Sequence, residues 1–390
     1  MIDFLKKNSA SCYFLLCMLV FMFCSFSGNE LNTYIDFPHV ELGVLPINII
    51  FFITFVFCSG IFFKQTKLDF IVFLLFARLL LHLIPIYYVG VSSHFSVNFL
   101  TSILCLLVYI IVLNCNGNFK NYICTINFVF VILCVQIILE FVMGETSYFG
   151  NVYFYKHDMT LPVGASNALA SKVVPMFALL FVNFKSKAVK LLYALLALVV
   201  VCLTKSRGGI LDLMLVIIVI LAWQGYFSIK SIFKFIISTC LIGFIAAYGI
   251  LFSEWGSFVF SDSDETVVGR YALFMQGLTL FSEHPFFGNG FYYFDFAQNP
   301  HNWVLDVLMR SGLAGFFLVS VILCCIWRNI KNFLNDPVVR GCLIAVLCML
   351  WQGLVEIVLF THIHDFLMWS ILGLMMSRVD YLKNCGMEYV

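Results

Sequence analysis

Residues 188–226 read AVKLLYALLALVVVCLTKSRGGILDLMLVIIVILAWQGY, two apolar runs at 188–204 and 208–226 set back to back around Thr204-Lys205-Ser206-Arg207-Gly208-Gly209. Each run has about the length a helix needs to cross roughly 30 Å of hydrocarbon, some 17 to 25 residues. A break this short can only return the chain, so the pair reads as a transmembrane helical hairpin. Working outward, runs of the same kind precede it at 10–27, 45–63, 68–89, 97–114, 122–143 and 166–184. Others follow at 231–252, 312–327, 341–360 and 364–378. The expected fold is all-α: a polytopic integral membrane protein, 1–390 forming one membrane domain, with about twelve transmembrane helices and one large outer loop that contains short helices.

Composition agrees. Hydrophobic residues make up 62% of the chain and charged residues 11%, with a mean hydropathy of +1.01, whereas soluble domains carry about 25% charged residues. A net charge of +1 excludes the strongly basic balance that nucleic-acid binding needs, so no nucleic-acid partner is expected. The first apolar run follows Lys6-Lys7, as a signal peptide would, but no small-x-small cleavage site follows it, and it reads as a retained helix.

Lysine and arginine set the orientation. Lys6, Lys7, Lys64, Lys67, Lys120, Lys185, Lys187, Lys190, Lys230, Lys234, Arg328, Lys331, Arg340, Arg378 and Lys383 fall on one side, which is therefore cytoplasmic and holds both termini. The opposite loops carry Glu30, Asp36, Glu41, Glu145, Asp158, Asp262, Asp264, Glu265 and Asp295, with few bases. Most of the 15 cysteines lie in the spans or on the cytoplasmic side, which argues for small buried hydrophobes and against a disulfide framework.

The long stretch 253–311 lies on the outer side. Within it Val267 to Phe281 has apolar residues at helical spacing, and His284-Pro285-Phe286-Phe287-Gly288-Asn289-Gly290 is a breaker-rich turn that ends that helix. Beyond it come Pro300-His301-Asn302 and, nine residues on, Gly312-Leu313-Ala314-Gly315. A span starting at His301 would draw Asp306 and Arg310 into hydrocarbon at about 2.5 to 3.5 kcal/mol each. An interfacial helix over 301–310 avoids this: Asn302, Asp306 and Arg310 form its polar stripe, and the membrane helix begins at Gly312 and Gly315, which permit a bend and close packing.

Polar chemistry gathers on the outer side. Lys205 and Arg207 stand against the charge rule beside residues that open the backbone, a pattern that suits an anion site. Snorkelling to lipid phosphate, or pairing with Asp212, would also explain them. Arg270 and Arg310 add two guanidinium forks able to hold phosphate bidentately, and Lys156 and Lys172 are the remaining bases of that side. The His301 imidazole can take a proton from a sugar hydroxyl, or it can cap and pack. Asp262-Ser263-Asp264-Glu265 reads as a solvated turn before a metal site, so neither metal nor cofactor is expected. Arg78 and His82, one turn apart inside a span, face the bundle interior as a structural pair, while Glu140 and Glu356 are acidic partners for the outer arginines; Glu356 or Asp306 could share the role of base.

Thr204-Lys205-Ser206-Arg207-Gly208-Gly209, Arg270, Glu283 through Gly290, and Pro300-His301-Asn302 with Gly312 to Gly315 together resemble the O-antigen ligase and polymerase family, in order and spacing, across about 204–316. Gly164-Ala165-Ser166-Asn167 fits more loosely. The resemblance implies a metal-independent glycosyltransferase of the bacterial inner membrane, working on the periplasmic face. It would join an undecaprenyl-pyrophosphate-linked glycan to a sugar hydroxyl. It implies that Arg207 and Arg270, with Lys205 and Arg310, hold the pyrophosphate, that His301 orients or deprotonates the acceptor, and that Asn302, Asp306, Glu356, Gly312 and Gly315 support the site. Expected partners are the lipid-linked donor, a glycan or lipid A-core acceptor, membrane lipids and other membrane proteins of polysaccharide assembly. The outer loop is short for a bulky acceptor, which favours a repeat-unit polymerase over a ligase. A polytopic transporter or lipid-linked glycan flippase is the reading from another class, which ionisable residues at the bilayer midplane and a two-fold internal repeat would favour.

Overall fold

The computed structural model describes residues 2–25, 40–41, 45–62, 68–90, 95–114, 118–144, 160–224, 264–291, 300–354 and 362–387. The expected span at 231–252 and the candidate Glu356 lie outside the described residues. The described helices, in chain order, are α1 (Ile2–Phe23), α2 (Leu45–Phe62), α3 (Phe70–Leu81), α4 (Phe95–Leu113), α5 (Phe119–Gly144), α6 (Ser166–Asn183), α7 (Lys187–Leu203), α8 (Arg207–Trp223), α9 (Asp264–Glu283), α10 (Trp303–Ile330), α11 (Pro337–Gln352) and α12 (His362–Asn384). Four helical stretches among the described residues are long and apolar enough to cross a membrane: Phe70–Tyr87, Phe119–Met143, Ser166–Asn183 and Trp303–Phe333. Two paired strand fragments accompany them, Cys24–Ser25 beside Val40–Glu41 in parallel, and Thr160–Leu161 antiparallel to Gly164–Ala165 just before α6.

The helices face two apolar environments at once. On α3, Phe70, Phe73, Phe76 and Leu80 are exposed by 63, 60, 50 and 46%, whereas Ile71, Val72, Leu75 and Leu79 of the same helix are buried. A stripe of phenylalanines at helical spacing has no reason to face water. It suits lipid, and α7 shows the same face in Leu191, Leu192, Leu195 and Leu198. α6 is the central helix: every residue from Leu169 to Leu180 is buried, and α5, α7, α8 and α11 pack around it. Pro175 sits inside it and removes one backbone donor.

Between helices the approach is close. A Cβ on Gly373 of α12 would lie 2.9 Å from the Tyr109 carbonyl oxygen of α4, and one on Gly209 of α8 would lie 2.4 Å from the Ala170 Cβ of α6. Such small-residue contacts are how membrane helices associate when lipid is as apolar as their own side chains. At one end of the bundle Asp336 caps α11, accepting from the Val338 and Val339 amides at 3.0 and 3.2 Å, and is gripped by Arg378 of α12 at 2.8 Å. Arg378 also lies over the Phe119 and Tyr381 rings. The candidate polar residues gather at the other end.

Candidate active site

The α7–α8 turn is built by two helix ends meeting across three residues. Thr204 closes α7, its hydroxyl donating to the Val201 carbonyl at 2.7 Å, and Ser206 opens α8 as its N-cap, accepting from the Gly209 amide at 3.1 Å. Lys205 between them has φ +53. α6 starts against this turn, because the Ser166 hydroxyl donates to the Thr204 carbonyl. One residue on, the Asn167 carbonyl accepts from Gln352 at the C-terminal end of α11, at 3.5 Å. That end in turn holds the start of α10: the Trp303 amide donates to the Gly353 carbonyl at 2.8 Å and the Asn302 amide group to the Leu354 carbonyl at 3.0 Å. Asn302 is the N-cap of α10, accepting from the Leu305 amide at 3.0 Å.

His301 therefore occupies in α10 the position that Lys205 occupies in α8, one residue before the cap, and it has the same φ of +53. Left-handed backbone costs a side-chain-bearing residue about 1 to 2 kcal/mol. Here the tight entry into a capped helix imposes it twice. The hydrogen bonds tie the N-termini of α6, α8 and α10 to one end of the bundle, where unpaired helix amides and aligned peptide dipoles favour an anion. Lys205 and Arg207 are exposed at that end, and His301 is half-buried. Asp212, offered above as their partner, is buried, with no hydrogen bond to its Oδ2 among the described residues.

α10 is not continuous. Gly312 has φ +61 and ψ −160 inside it, so the helix breaks into a short N-terminal piece and a longer one. In an unbroken helix the amides of Leu313 and Ala314 would bond the carbonyls of Met309 and Arg310. Instead Leu313 and Ala314 donate to Pro285 and Phe286 at 2.8 and 3.0 Å, and the vacated carbonyls accept from Asn289 and Gly290 at 2.7 and 2.9 Å. The 284–290 turn is thus spliced into the break. The fit requires glycine on both sides: a Cβ on Gly288 would lie 2.5 Å from the Arg310 carbonyl carbon, and one on Gly312 would lie 2.4 Å from the Phe286 carbonyl. Tyr88 adds a hydrogen bond to the Gly288 carbonyl and a ring contact to His284 at 4.6 Å between centroids.

Asp306 and Arg310 form an ion pair of 2.8 Å, with side chains only 2 and 5% exposed. The sequence placed them on a polar stripe at the membrane surface with Asn302; in the fold the stripe is turned inward, and Arg310 lies over the Phe291 ring at 5.6 Å. Arg78 interacts electrostatically with Asp306, Arg310 and Asp365, and the buried His82 ring packs on Phe291 at 4.8 Å. Sequence reasoning missed Asp365, the first-turn acid of α12. The signal was Arg78 itself, since a base inside a span calls for an acid at matching depth. It also missed Gln352, Gly353 and Leu354, whose part is played by one side-chain amide and two carbonyls and leaves no mark in sequence.

Of the remaining candidates, Arg270 lies on α9, with its side chain outside what is described. Gly315 leaves room for the Ser311 hydroxyl, which a Cβ there would meet at 1.8 Å. Glu140 is buried in α5 and Lys172 in α6, where Lys172 donates to the Ala168 carbonyl at 2.8 Å. No group of three or more metal-ligating side chains occurs among the described residues.

Comparison with known proteins meets this geometry. An uncharacterized protein of Haemophilus influenzae (strain ATCC 51907 / DSM 11121 / KW20 / Rd) is 24% identical over 280 residues, covering 64% of this chain and 67% of its own. Residues 192–320 match the family model described as O-antigen ligase. That segment contains the α7–α8 turn, α9, the spliced turn and the start of α10, so the chain is similar to the O-antigen ligase family over the region that holds the candidate site.

Proposed function

We propose that the protein is a membrane glycosyltransferase that joins an undecaprenyl-pyrophosphate-linked glycan to a sugar hydroxyl on the periplasmic face, as a repeat-unit polymerase of surface polysaccharide. The carrying observation is the hydrogen-bonded convergence of the α6, α8 and α10 N-termini, with Lys205, Arg207 and His301 at their mouths. Three helix N-termini and two bases suit a pyrophosphate, and the His301 imidazole at the same end suits the acceptor hydroxyl.

In this reaction the acceptor oxygen attacks the anomeric carbon of the donor sugar, its proton passing to the His301 imidazole. The bond from that carbon to the pyrophosphate oxygen breaks, and the lipid pyrophosphate leaves with the bonding pair. Arg207, Lys205 and the helix amides take up the charge that develops there, and Arg270 on α9 is the further phosphate ligand. Arg310, buried against Asp306, acts by holding the start of α10 in place.

A second reading, an O-antigen ligase that transfers the finished polymer to lipid A-core, is favoured by the description of the matching family model. A gel of lipopolysaccharide from the source bacterium lacking the gene separates the two. Core with a single repeat identifies the polymerase, bare core with accumulated lipid-linked polymer identifies the ligase, and an unchanged ladder overturns the assignment to O-antigen.

A further inference from the structure

At the end of the bundle opposite Lys205 and His301, α6 and α8 finish and α7 and α11 begin. A small open cleft lies among them, lined by Lys190, Arg340, Trp223, Gln224, Ile220 and Ile344. Lys190 and Arg340 are both half-buried, and among the described residues no acidic side chain lines the cleft. Each base is the fourth residue of its helix, and neither helix has an acid in its first turn. Because α6 and α8 end where α7 and α11 begin, the helix dipoles offset one another, and the positive potential there is that of the two bases themselves. The nearest acid in sequence, Asp336, is already occupied by Arg378 and by the cap of α11. The Lys190 ammonium lies 5.3 Å from the Phe181 ring centroid, a contact that leaves its charge intact.

We infer that this cleft binds the phosphate of an anionic lipid headgroup. Two like charges sharing a half-buried cleft repel, and an anion between them removes the repulsion. The surroundings select a lipid over a soluble anion: Ile220 and Ile344 line the cleft with apolar surface, Trp223 is an indole suited to the interface, and α7, which carries Lys190, exposes the apolar face of Leu191 and Leu195 that suits lipid. The site lies away from the proposed chemistry and does not depend on it.

The test is thermal unfolding of the purified full-length protein in neutral detergent, titrated with phosphatidylglycerol, phosphatidylcholine or inorganic phosphate. Phosphatidylglycerol raises Tm and phosphatidylcholine does not. In the Lys190→Gln/Arg340→Gln double variant the half-maximal lipid concentration rises by about tenfold or more. Lys187→Gln removes one charge on the same turn without lining the cleft, and leaves the response as in the wild type. Should the double variant not fold, the single variants are read in the same assay. A response to inorganic phosphate that needs both bases identifies a soluble anion as the ligand and overturns the lipid source. Equal responses to phosphatidylglycerol in wild type and variants overturn the site.

Discussion

His301 and Lys205 share a left-handed backbone one residue ahead of a helix cap, and this separates what their side chains do from what their backbones do. Asparagine tolerates that conformation better than most residues and cannot act as a base. His301→Asn is therefore expected to reach the membrane at wild-type level and to lose product by about 10²- to 10⁴-fold, the range of general acid–base catalysis. Expression measured by blot beside polymer measured on a gel decides it; wild-type polymer from the variant would remove His301 from the chemistry. Arg207 calls for a different comparison. Lysine keeps the charge and loses the two-pronged geometry, so Arg207→Lys should retain part of the activity that Arg207→Ala loses by about 10²- to 10³-fold. If the two variants are equally active, fork geometry is irrelevant there.

At the scale of elements the spliced break of α10 organises the end of the bundle that holds His301. It ties the turn that follows α9 to the helix that begins after His301, through four backbone hydrogen bonds and two glycines that cannot accept a Cβ. Gly312→Ala meets both a positive φ and backbone atoms 2.4 Å away, and is expected to destabilise the fold by about 2 to 4 kcal/mol. Gly288→Ala does the same from the other side. Since either substitution opens the same splice, the double variant should lose less than the sum of the two in thermal unfolding, and strict additivity would mean that the contacts are independent. Much of this region was legible in outline. Hydropathy marks where helices suit lipid, the glycines after Arg310 mark a bend, and 284–290 reads as a turn because proline and glycine break helices locally. The insertion of that turn into the bend was not legible, because backbone atoms distant in sequence make it and any residue type supplies those atoms. The inward turn of Asp306 and Arg310 was hidden for a related reason: a polar stripe suits water and a buried ion pair equally well until its neighbours are known.

Over the whole molecule the two ends of the bundle are built for different tasks. One collects helix N-termini, an imidazole and exposed bases; the other locks α11 to α12 through Asp336 and Arg378, with Lys383 donating to Asn329 at 3.0 Å. Removing a partner from a buried pair that is also a cap costs about 3 kcal/mol. Asp336→Ala should accordingly lower Tm and abundance while leaving activity per folded molecule unchanged, and a proportionate loss of specific activity would show that this end reaches the chemistry. The lysine and arginine bias predicts that the Asp336 end lies in the cytoplasm, and Cys385 is exposed just beyond α12 at that end. In a background whose other exposed cysteines are replaced, a membrane-impermeant maleimide should label Lys205→Cys in cells with a permeabilised outer membrane, and reach Cys385 only once the inner membrane is opened. The proposed reaction needs donor and acceptor on one face, so labelling of both positions from the same side would separate His301 and Arg207 from the compartment that reaction needs.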